Sequence, residues 1–289
     1  MTAPSPVLAR AEALLLADRP QEALAELSRL PADEAVDRPA TLLRCAALGH
    51  LGRWSEVVES ASAGLAAAGP DPDLLWHLGR AEHRLGRPQV AERALLDGLA
   101  QAPHDVDLLC TYADVCAANG QVAKAAKLVE RATALAPEEP VVYAARVQVA
   151  FASGDDRAAE RISREFVAAH PEHPAAHALL GSTSAARGRI GVAYEGYRQA
   201  AAAMPSKQTF AESALELKIA QHPLMLPIRP VLRIGPLKVW LGAIILVFGL
   251  RAAGLTTLSA ALGLLWLLFC VYSWIVPPLV RRWFRRNWR

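Results

Sequence analysis

Apolar positions recur at helical spacing along the first three quarters of the chain. Between 72 and 105, Leu75, Leu78 and Leu85 form one stripe; Val90, Ala94, Leu95 and Leu99 form a second. Each stripe fits one face of a helix with 3.6 residues per turn. Gly86 separates them, and Pro88 follows where a first-turn proline is tolerated. Pro103 closes the second stripe, because proline cannot continue a helix. The stretch predicts two short helices joined by a tight turn.

The punctuation repeats every 34 residues. Gly52, Gly86, Gly120, Gly154 and Gly188 keep that spacing, as do Pro103, Pro137, Pro171 and Pro205. A fixed period of this length marks a stacked array, in which no unit buries its apolar face alone and neighbours complete the core. The period divides the chain into units at about 4–37, 38–71, 72–105, 106–139, 140–173 and 174–207. Residues 208–222 (QTFAESALELKIAQH) read as a further amphipathic helix capping the last unit.

The unit resembles the tetratricopeptide repeat. The resemblance rests on Leu75, Leu78-Gly79, Ala91, Leu95, Gly98 and Pro103 in one unit, and on Leu180-Gly181, Ala193, Tyr197, Ala200 and Pro205 in another. Unit 106–139 supplies Leu109, Ala113, Ala125, Ala132 and Pro137. Unit 140–173 departs from the pattern, with Val147 and Phe166 where the family places small residues. The resemblance implies an all-α fold, a right-handed α-solenoid of about six helix pairs plus the cap. It also implies a concave wall built from the first helix of each pair, which docks a protein or peptide. Family positions on that wall fall on Asp73, Trp76, Arg80, His83 and Arg84. They continue on Asp107, Cys110 and Asp114, on Gln148 and Phe151, and on Ser182. An aromatic beside arginines suits an acidic or C-terminal-carboxylate peptide.

The last quarter follows a different pattern. Residues 223–236 hold four prolines and read as an extended juxtamembrane linker. Apolar segments follow at about 237–255 and 257–276, within a hairpin spanning 237–280. The second is a 20-residue uncharged run, long enough to cross the ~30 Å hydrocarbon core of a bilayer. The first crosses only with Arg251 reaching the far interface. The two predict a transmembrane hairpin that turns at Arg251–Gly254. Ser259 and Gly263 offer a small face for contact with another membrane protein. The tail 281–289, RRWFRRNWR, is basic and aromatic. Trp240, Arg251, Arg281, Arg282, Trp283, Arg285, Arg286 and Trp288 are the expected residues of the membrane interface.

Charge sharpens this division. Residues 223–289 carry nine Lys/Arg and no Asp or Glu, leaving residues 1–222 with 22 basic and 28 acidic side chains. Positive flanks predict that both termini lie in the cytoplasm, as a multi-pass protein of the cell (inner) membrane. The first 20 residues lack a basic stretch followed by an apolar core, so no signal peptide is expected. An acidic body argues against a nucleic-acid partner.

Catalytic chemistry is not legible. The chain has no Gly-rich phosphate loop and no GxSxG, and its four cysteines form no CxxC pair. His170, His173 and His177 cluster in HPEHPAAH, but prolines surround them and no carboxylate joins them, so they read as a turn rather than a metal site. No cofactor, metal or enzymatic role is expected. The sequence points to a membrane-anchored interaction scaffold; a peptide-sensing regulator and an accessory subunit of a membrane complex are the alternatives.

Overall fold

A computed structural model describes residues 5–31, 34–228, 231 and 235–287. Among them no strand occurs. The helices are α1 (Pro6–Leu16), α2 (Pro20–Leu27), α3 (Arg38–His50), α4 (Trp54–Ala68), α5 (Pro72–Arg84), α6 (Pro88–Gln101), α7 (Val106–Ala118) and α8 (Val122–Leu135). They continue as α9 (Pro140–Ala152), α10 (Asp156–Ala169), α11 (Pro174–Ala186), α12 (Ile190–Ala203), α13 (Gln208–Gln221), α14 (Pro236–Ala252) and α15 (Thr256–Asn287). The chain divides into two compact units, Met1–Leu179 and Leu180–Arg289.

In the first unit, helices alternate as the 34-residue period predicts. The in-register glycines, Gly86 among them at φ 75°, sit in the left-handed region just past a helix end. An L side chain is strained there, which is why glycine recurs at these joints. Aspartates start several helices. Asp71 accepts from the amides of Asp73 and Leu74, Asp105 from Leu108, and Asp155 from Ala158. Glu139 holds the corresponding place before α9 without a side-chain cap.

Small residues let the helices of a pair approach. A methyl group on Gly79 would lie 2.5 Å from Leu95 Cγ, and one on Gly98 2.9 Å from Leu108 Cδ2. Ala91, Ala125 and Ala159 recur at the equivalent crossing and are fully buried. Where the pattern departs, at Phe166, the ring is 0% exposed and stacks on Tyr143 at 4.8 Å, nearly parallel. Leu95, Leu108, Leu109, Tyr112, Val115, Val129 and Val142 form one core shared by α6 to α9.

In the second unit, the ring of Tyr197 covers Gly181 as Leu95 covers Gly79. The stretch after α13 is not extended throughout, since Pro223–Ile228 forms a 3₁₀ turn. Arg229, Arg233 and Trp288 lie outside the described residues. Helix α14 has 17 residues, about 26 Å. The bend follows it, with Gly254 at φ 80°.

Helix α15 differs from its expected bounds. It does not stop near residue 276 but runs for 32 residues, about 48 Å, through Pro277 and Pro278. Two interior prolines remove the helical bonds to the carbonyls of Ser273 and Trp274. Contacts within the unit offset that loss. Val280 is 5% exposed, Arg281 Nη2 meets Glu216 Oε2 at 2.9 Å, and Trp283 faces His222 with ring centroids 6.2 Å apart.

Among the described residues, α15 is the one helix long and apolar enough to cross a membrane, over Thr256–Trp283. Only 6% of its most apolar window is buried, unlike a core helix of a soluble protein. The expected second span, α14, is too short by the same measure. Ser259 also departs from expectation: its Oγ donates to the Val247 carbonyl at 3.0 Å, so it serves the hairpin itself.

Candidate functional site

Helix α5 has two faces. Leu74, Leu75, His77, Ala81 and Glu82 are buried. Trp76, Arg80, His83 and Arg84 fall on the opposite face at i, i+4, i+7 and i+8. Trp76 is half-buried, and its Nε1–H donates to Thr111 Oγ1 on α7 at 2.7 Å. That bond fixes the indole plane between two helices. The Arg80 guanidinium lies 5.2 Å from the Trp76 ring centre and 5.4 Å from that of Trp54, the first residue of α4. Arg84 lies 5.6 Å from the Trp54 ring. Cations over indole faces gain from the ring quadrupole, more so as water is removed.

These side chains open onto a concavity of about 730 Å³ shared by α5, α7 and α9. Trp76, Arg80, His83 and Arg84 line it from α5, and Thr111, Asp114, Ala117 and Ala118 from α7. Val141, Gln148, Phe151 and Ala152 line it from α9. Seven of the predicted positions therefore share one cavity: Trp76, Arg80, His83, Arg84, Asp114, Gln148 and Phe151.

The remaining positions lie elsewhere. Asp73 pairs with Arg38 of α3, which also holds Asp71. Asp107 is exposed and outside the cavity lining. Desolvation and the charges of Asp105 and Glu139 raise its carboxyl, against the pull of Arg80. Cys110 is 1% exposed in the core, and burial pushes its thiol to about 12, so it is no groove residue. Ser182 belongs to the second unit, where it hydrogen-bonds Tyr197. Trp54 and Thr111 were not among the predicted positions. An aromatic two residues after Gly52 is the signal that could have found Trp54.

Titration within the cavity follows burial. Desolvation raises Asp114 to about 6, with Arg84 opposing. Desolvation and Arg84 lower His83, and desolvation, then Arg84, lower Arg80. His77, beneath this surface, is pushed down to about 4 by burial and Arg80, so it is a neutral core histidine near pH 7.

The histidine cluster is spent on backbone. His170 Nε2 meets the Glu138 carbonyl at 2.7 Å, His177 Nε2 meets that of Pro171 at 2.6 Å, and His173 Nδ1 accepts from the Ala175 amide. Among the described residues no three His, Cys, Asp or Glu are grouped to hold a metal ion.

At the other end of the chain, Trp240 and Arg251 are exposed on α14, and Arg281, Arg282 and Trp283 on α15. Arg285 and Arg286 continue α15, with side chains outside the described residues.

Residues 82–149 match the family model of the tetratricopeptide repeat. That match begins in the last turn of α5 and ends within α9, so it takes in His83, Arg84, Asp114 and Gln148 of the cavity lining but not Trp76, Arg80 or Phe151. Among solved structures, the chain is similar to a thermophilic tetratricopeptide-repeat protein of Thermus thermophilus, at 18% identity and TM-score 0.58, covering 62% of this chain and 97% of that one. It is similar to PilW, a type IV pilus biogenesis factor, at 18% identity and TM-score 0.54, covering 71% and 96%. It is also similar to the APC/C hetero-tetramer Cut9-Hcn1, at 15% identity and TM-score 0.56, covering 73% and 42%. At these identities the likeness is one of fold. No curated protein sequence matches the chain.

Proposed function

We propose that this protein is a membrane-anchored docking scaffold whose tetratricopeptide-repeat groove takes a segment of a protein partner. The observation that carries the reading is Arg80, held between the faces of Trp54 and Trp76 and hydrogen-bonded to no protein group among the described residues. A guanidinium fixed by ring faces keeps its N–H fork free for a planar anion. Such a groove favours an acidic or C-terminal-carboxylate peptide. The hairpin α14–α15 carries the membrane attachment, with both termini in the cytoplasm. Confinement at a membrane raises the effective concentration of partners that share the surface.

A second reading makes the hairpin itself an accessory subunit of a larger membrane complex. Its support is Gly263, around which a methyl group would meet nothing within 4 Å. A small residue with open space beside it allows another helix to approach.

The test is affinity capture from detergent-solubilised membranes, comparing the native chain with Trp76→Ala/Arg80→Ala. The double variant is expected to keep its helical signal and lose partners by at least tenfold. Equal recovery by the two chains removes the groove from the function and leaves the hairpin as the interacting part.

A further inference from the structure

Helices α14 and α15 do not fill the seam between them. A cavity of about 460 Å³ lies there, and no side chain lining it is charged. Its α14 wall runs from Val239 to Val247 through Gly242 and Ala243. Trp266 and Phe269 stand on the α15 side, with ring centroids 5.5 Å apart. A methyl group on Gly242 would meet nothing within 4 Å. At the bend end, the hydrogen bond from Ser259 to the Val247 carbonyl ties the two helices together. At the other end, Val239 follows Lys238, which is exposed and forms no ion pair or hydrogen bond among the described residues.

We infer that this seam holds an acyl chain of an anionic phospholipid, whose phosphate sits at Lys238. The inference rests on the membrane attachment read above. Size selects the chain. At about 1.5 Å per residue, the wall from Val239 to Val247 is about 12 Å long, so the mean cross-section of the cavity is about 40 Å². A helix is about 10–12 Å across with its side chains and needs about 80–110 Å². An unbranched hydrocarbon chain, whose carbons touch their neighbours at about 4 Å, enters where a helix does not. Depth agrees with that choice. Trp266 lies at the centre of the uncharged run 257–276, which places the cavity near the middle of the hydrocarbon core, out of reach of water.

Charge selects the headgroup. Residues 223–289 carry nine Lys/Arg and no Asp or Glu, so nothing acidic on this segment competes for Lys238. An ammonium group at the membrane surface favours an anionic headgroup over a zwitterionic one. Gly263 is not part of the lining, so the seam is a different surface from the one open to another helix.

The experiment reconstitutes the full chain in vesicles of phosphatidylglycerol and phosphatidylcholine in equal parts. The chain is then extracted in mild detergent, and the phospholipid it retains is counted by mass spectrometry of the intact complex. The native chain is expected to keep phosphatidylglycerol about fivefold over phosphatidylcholine, the scale of one lysine at an anionic surface. Gly242→Leu, which branches into the seam, is expected to keep about tenfold less of either lipid, the scale of an overpacked site. Gly249→Leu is the control, because Gly249 is equally open but lies outside the lining; it is expected to retain lipid as the native chain does. Lys238→Gln is expected to keep a chain in the seam and lose the preference for phosphatidylglycerol. Inorganic phosphate is expected to displace no lipid. Equal retention by the native chain and Gly242→Leu, loss in Gly249→Leu alone, or displacement by phosphate overturns the inference. If the native chain resists a carbonate wash of the vesicles yet retains no lipid, the attachment reading stands and the lipid site falls; if carbonate releases it, both fall. A partner protein recovered from membranes with the native chain and lost in Gly242→Leu, with no lipid retained by either, makes the seam a helix contact and also overturns the inference.

Discussion

At the scale of single residues, the fold depends on what is missing from side chains. Gly79 has none, and a methyl there would meet Leu95 Cγ at 2.5 Å and the Ala91 carbonyl oxygen at 3.3 Å. Alanine is the better helix former by about 1 kcal/mol, which opposes the clash. Overpacking a closed core costs about 1–3 kcal/mol and is the larger effect. Gly79→Ala is therefore expected to lower stability by about 1–2 kcal/mol, read as a lower urea midpoint with unchanged slope. The same scale shows where residue-by-residue reading stops. Trp76 and Cys110 occupy equivalent positions of successive units, yet the indole reaches the cavity and the thiol stays in the core. The short Cys110 side chain belongs to the same buried core as Val142 and Ala145 of the next pair. Asp73 lies outside the cavity lining and is taken by Arg38 of the preceding unit, a pairing 35 residues apart that periodicity cannot show. Trp54 escaped because it starts a second helix, whereas family logic inspects only first helices.

At the scale of elements, helix starts and stops were legible because proline and glycine punctuate them by steric rule. The exception is α15. The uncharged span was expected at about 257–276, and the helix continues through Pro277 and Pro278 because its last turns are held by α13 and the 3₁₀ turn. Tyr272 donates to the Leu224 carbonyl at 2.6 Å, Val280 is buried and Arg281 pairs with Glu216. The ion pair is half-exposed on both sides and contributes little. Val280 matters more, since a carboxylate there would be buried without a partner. Val280→Asp is expected to free the last turns of α15 from α13, seen as faster amide exchange in both helices. Unchanged protection at Glu216 and Arg281 would mean that other contacts hold them.

At the scale of the whole molecule, the chemistry of the surface changes along the chain. Acidic side chains stop at Glu216, and large exposed apolar ones gather after Leu237, Ile245 at 70% and Trp274 at 83% exposure. Exposed apolar surface of that extent on a helix marks contact with lipid or protein. Removing residues 223–289 is expected to move the chain from the membrane pellet to the supernatant after a carbonate wash. A truncated chain that still pellets would place the attachment in the repeats. Hydropathy alone left the number of crossings to be decided by length. The structure gives α15 that length and gives α14 about 26 Å, so the shorter helix needs local thinning or the reach of Arg251 to complete a hairpin.

The Trp54–Arg80–Trp76 stack has an optical consequence. Both indoles, Trp76 in the cavity lining and Trp54 outside it, rest against one guanidinium, and anything that draws Arg80 toward an anion changes the electric field on both rings together. Indole emission shifts with such fields, so the protein carries a built-in reporter of its own occupancy. A ligand that fills the groove is expected to shift emission in the native chain and to leave it unmoved in Trp54→Phe/Trp76→Phe, whereas a partner bound only to the hairpin would leave the emission of Trp54 and Trp76 unchanged.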